Sequence, residues 1–208
     1  MSNNIYEIRF KTLAHCAHQR NSGNRLLGLG LKEVVEVMKT TRWLVEKMWS
    51  IIDLHIYPHM GGSPLKVLEP SAGVGDLILR KLSYLLFKFT CVELNKEKYD
   101  ELKKIYHNSI HGDFMKLDFE EKFDIIIAAP PFNNNVDVEH IQKMYSLLAK
   151  DGIIVTLTTP YWMTNNEPHQ VQFREWLKDK DHKFEMLPDM TFVEKGKTVP
   201  TGILILKK

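Results

Sequence analysis

From Thr40 onward, short apolar runs alternate with longer amphipathic stretches, and that alternation is the strongest constraint on the fold of this chain. "LKVLE" (Leu65 to Glu69), "FTCVEL" (Phe89 to Leu94), "SIHG" and "KFDIIIAA" (Lys122 to Ala129) read as strands. So do "IIVTLTT" (Ile153 to Thr159), "KFEML" (Lys183 to Leu187) and the closing "TGILILKK". Between them, "GDLILRKLSYLLF" (Gly75 to Phe87), "KEKYDELKKIYH" (Lys96 to His107), "VDVEHIQKMYSLLAK" (Val136 to Lys150, closed by Gly152) and "QVQFREWLKD" read as helices. Ahead of the first strand, "TTRWLVEKMWSIIDLHIY" places Leu44, Met48, Ile51 and Ile52 at helical spacing behind a threonine cap. Strands and helices in this rhythm imply parallel βαβ units. Near-continuous apolar strands such as "DIIIAA" imply burial on both faces. The expected fold is a doubly wound α/β sheet whose ligands sit beyond the carboxyl ends of its strands.

The 208 residues suit one domain. Residues 1–39 read as an irregular N-terminal segment, with "RNSGNRLLGLG" as a loop, and residues 40–208 as the α/β domain. The segment 1–39, with Arg20 and Arg25, is spare material that can reach over a substrate as a lid. A net charge of +2 gives no global basic field, though a local patch remains open. Two cysteines make no disulfide framework. No apolar run is long enough to span a bilayer, and the start lacks a signal-peptide core, so the expected location is cytoplasmic, without a membrane partner. "HCAH" (His15, Cys16, His18) lacks a second ligand pair, so no metal is expected.

"VLEPSAGVGDLI" runs from a strand into a loop with Gly73 and Gly75. Neither glycine carries a Cβ, so backbone can approach a ligand closely. Ile78 stands where a dinucleotide fingerprint needs its third glycine, which weakens that reading. Glu69 at the strand end would repel a pyrophosphate and suits an amino group instead. The next strand ends in Glu93, placed to accept hydrogen bonds from both ribose hydroxyls. The third ends in "HGDF", where Asp113 can accept from an adenine amino group and Phe114 can lie against the ring. Each feature alone also fits a tight turn, a helix-start charge or a turn former. Taken in order, they describe a pocket for a nucleoside with a cationic tail.

At these residues the chain resembles the class I S-adenosylmethionine-dependent methyltransferases, over about residues 40–208. The resemblance implies a Rossmann-like seven-stranded sheet with helices on both faces and an antiparallel last strand. It implies S-adenosyl-L-methionine as cofactor, with the Gly73–Gly75 loop carrying the methionine part, Glu69 near its amino group, Glu93 on the ribose and Asp113 on the adenine. Pro70, Ala72, Leu94 and Phe114 complete the implied cofactor set.

"IIIAAPPFNNN" (Ile125 to Asn135) ends the fourth strand abruptly. Two prolines break a strand and fix a stiff turn, and Phe132 then offers a flat face. The stretch resembles the (Asn/Asp/Ser)-Pro-Pro-(Tyr/Phe/Trp) tetrapeptide of amino-group methyltransferases, of the N6-adenine type above all. The closing "LPDMTFVEKGKTVPTGILILKK" resembles the ending of phage and mobile-element members. The resemblance implies that Ala129, Pro130, Pro131 and Phe132 form the catalytic turn. A target amine gives its hydrogens to the first residue and to the first proline's carbonyl, and a flipped base stacks on the aromatic. Ala129 has no side-chain acceptor, and losing one such bond costs about 10²–10³ in rate. Three readings stay open: a weakened site with Asn133, Asn134 or Asn135 as substitute acceptor, a different nucleophile, or a cofactor binder without turnover. Tyr161 and Trp162 in "TTPYWM" are expected at the cleft mouth as stacking faces.

The expected function is methyl transfer to an exocyclic amino group of DNA or RNA. A catalytically weak or inactive subunit supporting a partner methyltransferase is the alternative, and a protein-glutamine methyltransferase the lesser one. No insertion large enough for a target-recognition domain is present, so a protein partner is a candidate source of substrate choice.

Overall fold

A computed structural model of the protein describes residues 31–56, 64–78, 86–132, 136–188, 193–194 and 197–208. The chain divides into two units, Met1–Met38 and Lys39–Lys208. Of the first unit only residues 31–38 are described, and they are helical. Helix α1 runs Leu31–Ile56, so it starts inside the stretch expected to be irregular. Leu31, Val34, Val35 and Met38 continue the helical spacing upstream of Thr40, a pattern the neighbouring Gly28 and Gly30 had obscured. His15, Cys16, His18, Arg20 and Arg25 lie outside the described residues.

The second unit is built on a seven-stranded sheet, in the order β3-β2-β1-β4-β5-β9-β6. Its strands are β1 (Leu65–Glu69), β2 (Phe87–Glu93), β3 (Ser109–His111), β4 (Phe123–Ala128), β5 (Leu148–Thr158), β6 (Asp181–Met186) and β9 (Gly202–Lys207). β1 to β5 pair in parallel. β9 slots antiparallel between β5 and β6, which gives the expected antiparallel last strand. A separate two-stranded ribbon pairs β7 (Val193–Glu194) with β8 (Lys197–Thr198).

The chain works outward from β1 to β3, then returns to the other side of β1 with β4. That reversal is the topological switch point, where α/β sheets open a crevice at their carboxyl edge. Glu69 ends β1 and the Pro130–Pro131 turn follows β4, so the two flank the crevice.

Two apolar layers sandwich the sheet. One holds Met48, Trp49 and Ile52 of α1 with Leu102 of α2 (Lys96–Lys103) against Val67, Ile125 and Val155. The other holds Ile141 and Met144 of α3 (Val136–Leu147) with Phe173 of α5 (Pro168–Leu177) against Leu68, Ile126 and Ile154. Alternate residues of the same strands serve opposite layers, which is why these strands read as unbroken apolar runs.

Two expected elements differ. The helix expected from Gly75 to Phe87 is absent from its described ends: residues 73–78 form turns, and Phe87 already belongs to β2. Gly73 and Gly75 both adopt positive φ, 57° and 92°, which a helix cannot continue through. Gly152 does not close α3. That helix ends at Leu147, and Gly152 lies within β5, where a Cβ would come 3.0 Å from the Asp124 carbonyl oxygen.

Gly202 is fixed by space rather than by φ. A methyl there would overlap the Phe184 ring and lie 2.8 Å from the Glu185 carbonyl oxygen, across the β6–β9 pairing. Gly202→Ala is expected to destabilise the fold by about 1–3 kcal/mol, the usual cost of overpacking, as a lower urea midpoint at unchanged slope.

Candidate functional site at the sheet switch point

Five strand ends, those of β1 to β5, supply the candidate site. At β1, Glu69 is 1% exposed, and its Oε2 has no hydrogen-bond partner among the described residues. Burial, then the charges of Asp76 and Glu93, push its carboxyl well above the usual carboxylate range. The same carboxyl stands in register with Cys91 of β2, whose thiol is pushed up by burial and by Glu69.

The loop after β1 is tight. Ala72 N–H donates to the Val92 carbonyl at 2.8 Å, and Gly75 N–H donates to the Ala72 carbonyl at 2.7 Å. Pro70 and Ala72 are buried. The two glycines do different work. A Cβ on Gly73 meets no atom within 4 Å, so this backbone is open to a neighbour. A Cβ on Gly75 would come 3.0 Å from Leu102 Cδ1 and 3.1 Å from Tyr106 Cε2, so Gly75 is pressed against the protein's own side chains. The side of Gly73 that a Cβ would occupy is therefore open, whereas the same side of Gly75 is filled by Leu102 and Tyr106.

Glu93 ends β2 and is itself buried. Its Oε2 accepts the Gly73 N–H at 2.7 Å, and its Oε1 accepts the Asn95 N–H at 2.7 Å. Asn95 in turn caps α2 by accepting from Lys98 N–H at 3.0 Å. A carboxylate offers about four lone-pair sites, so acceptor capacity remains for ligand hydroxyls. Leu94 beside it is 68% exposed.

Beyond β3, Asp113 caps a single 3₁₀ turn (Phe114–Lys116), its Oδ1 accepting from Met115 N–H at 3.0 Å and its Oδ2 lying 3.3 Å from Lys116 Nζ. The Met115 bond, aided by Lys116, holds its carboxyl below the usual range. Phe114 is packed away against Phe119 and the His140 ring, with Lys143 Nζ 5.2 Å from its centroid.

Behind β4, Ala129 and Phe132 are partly buried against the α1 layer, Pro130 is buried and Pro131 exposed. Asn133, Asn134 and Asn135 lie outside the described residues. After β5, Tyr161 opens the short helix α4 (Tyr161–Thr164) and is 46% exposed. Trp162 corrects the expectation made for it. It is not at the cleft mouth but 6% exposed, edge-on to Phe173 at 5.5 Å and Phe184 at 5.4 Å. A helical turn sends adjacent side chains in different directions, so one aromatic of the pair is free for solvent and the other fills the core.

Asp137 is a residue that the sequence did not single out. Buried on α3, it accepts from Thr158 Oγ1 at 2.8 Å and from Thr159 N–H at 3.2 Å. An acid in a helix's first turn reads as a dipole partner in solvent, so only its burial reveals the link. Among the described residues, no group of His, Cys, Asp and Glu is placed to hold a metal ion, and no helix is long and apolar enough to cross a membrane.

Comparison with solved structures matches this architecture to methyltransferases. A type I restriction-modification methyltransferase subunit from Streptococcus thermophilus aligns at TM-score 0.62 and 15% identity, over 75% of this chain and 42% of that one. A protein from Listeria monocytogenes described as a class I S-adenosylmethionine-dependent methyltransferase aligns at 0.66 and 12%, over 95% of this chain and 66% of that one. A dimethyladenosine transferase from Plasmodium falciparum aligns at 0.53 and 24%, over 76% and 61%. No protein-family profile and no curated protein matches the sequence. The fold is the Rossmann-like sheet of class I methyltransferases, at identities that speak to the fold alone.

The buried, unpartnered Glu69 carries a stability signature. Because folding raises its pKa, the protein loses stability as pH rises from the ordinary carboxyl value of 4.5 to the raised folded value. Glu69→Gln is expected to be the more stable protein at neutral pH, by on the order of 1–3 kcal/mol. The difference should vanish below pH 4.5. Thermal melts across pH check both the sign and the window.

Proposed function

We propose that this protein is an S-adenosylmethionine-dependent methyltransferase acting on an exocyclic amino group, N6 of adenine, in DNA or RNA. The observation that carries the reading is the meeting, at one switch point, of an orphaned buried carboxylate, an open glycine turn and a Pro-Pro-Phe turn. The residues fit the cofactor. Glu69 Oε2 lacks a hydrogen-bond partner among the described residues, and a cationic amino group would satisfy it; the open backbone at Gly73 can admit the methionine part. Glu93 has spare acceptor capacity for ribose hydroxyls, and Asp113, held ionised, can accept from the adenine amino group. When bound, that cofactor supplies an electrophilic methyl group on sulfur.

The chain's own task is to hold the target. An aromatic amine is a poor nucleophile because its lone pair is delocalised into the ring. The Pro130 carbonyl can accept one of its hydrogens, and the Phe132 face can stack on the base. Tyr161, half-exposed at the neighbouring strand end, can offer a second stacking face. The names of two structural neighbours, a restriction-modification methyltransferase and a dimethyladenosine transferase, support a nucleic-acid target.

Ala129 favours a second reading, a cofactor-binding subunit of low or no activity. The two separate experimentally. Ala129→Asn supplies the missing acceptor, so the enzyme reading expects the transfer rate to rise by up to about 10²-fold. Phe132→Ala should lower the rate in either background. The assay is transfer of labelled methyl to DNA, RNA and protein pools. If neither the native protein nor Ala129→Asn methylates any polymer while both bind cofactor, the subunit reading replaces the enzyme.

A further inference from the structure

We infer that Asp137 is a positioning residue that locks the Ala129–Phe132 turn to the Thr158–Tyr161 loop, so that both proposed substrate faces are held as one unit. The inference rests on the function proposed above. Asp137 is the second residue of α3, the helix that the Pro-Pro turn leads into. It is 2% exposed, and its Oδ2 accepts three bonds: Thr158 Oγ1 at 2.8 Å, Thr159 N–H at 3.2 Å and Thr159 Oγ1 at 3.3 Å. The donors sit on Thr158, the last residue of β5, and on Thr159 just beyond it, and none on its own helix, so this acid is not a cap.

Register gives the link its meaning. Ala128 of β4 pairs with Thr156 of β5, so Thr158 lies two residues further, alongside the start of the proline turn. The loop beyond Thr158 is already rigid on its far side. Arg174 Nη1 donates to the Trp162 carbonyl at 2.6 Å and to the Asn165 carbonyl at 2.6 Å, while the Trp162 indole is wedged between Phe173 and Phe184. Asp137 is the connection that carries this rigidity across to the helix following the Pro-Pro turn. One helical turn on, His140 packs against Phe114, so the same helix edge also rests on the strand end that carries Asp113. A buried carboxylate is costly unless hydrogen-bonded, and here three donors at and just past the end of β5 offset that cost.

The test compares Asp137→Ala with Asp137→Asn in the full chain. Three readouts are taken: calorimetric binding of S-adenosylhomocysteine, kcat and KM for methyl transfer, and amide hydrogen exchange. Alanine should leave cofactor affinity unchanged, lower kcat by about 10²-fold through misplacement, and speed exchange at Phe132, Thr159 and Tyr161. Asparagine keeps an oxygen acceptor and should restore most of both. If alanine changes neither kcat nor exchange, or asparagine fails as badly as alanine with exchange intact, the positioning role is overturned. A native protein and an Ala129→Asn variant that both bind cofactor and methylate no polymer refute the enzyme reading proposed above. The exchange readout still decides the lock in that case: protection in asparagine and its loss in alanine supports it, and no difference overturns it. Should alanine not fold, Thr158→Val removes the 2.8 Å donor and should give the same exchange pattern.

Discussion

The Glu93 carboxylate is the fixture on which the candidate site depends. One oxygen holds the Gly73 amide and the other holds the Asn95 amide, so a single side chain joins the loop after β1 to the start of α2. Both bonds are charge-assisted and short, the strong class of hydrogen bond. They set Gly73 at its positive φ with open backbone, while Gly75 closes the turn against Leu102 and Tyr106. Glu93, a proposed ligand contact, thus also frames the loop of the candidate site.

Around that frame the protein accepts an unfavourable arrangement. Glu69, Asp76 and Glu93 lie close enough that the charges of the last two raise the first, on top of its burial. Among the described residues, Glu69 Oε2 has no hydrogen-bond partner. Such stored cost is common where a ligand supplies the missing partner. The surrounding fold can carry it because both faces of the sheet are sealed by apolar layers.

Much of this was legible in the sequence because it rests on local chemistry. Apolar runs such as Phe123–Ala128 permit little but a central strand, and acids at strand ends declare themselves by order. What escaped was decided by packing at a distance. At Gly75 the apolar spacing suggested a helix start, because spacing says nothing of Leu102 and Tyr106 pressing on Gly75 in a positive-φ turn. Trp162 looked like a stacking face because only Phe173 and Phe184, remote in sequence, show that it is core. Asp137 carries no such signal in the sequence, because its partners Thr158 and Thr159 lie 21 and 22 residues away.

The central claim is that this switch point binds a nucleoside with a cationic tail and not a dinucleotide. Calorimetric titration of the native protein and of Glu93→Ala with S-adenosylmethionine and with NAD tests it directly. The account predicts that S-adenosylmethionine binds, that NAD does not, and that Glu93→Ala weakens binding by about 1–3 kcal/mol. Binding of NAD, or no binding of S-adenosylmethionine, would contradict it.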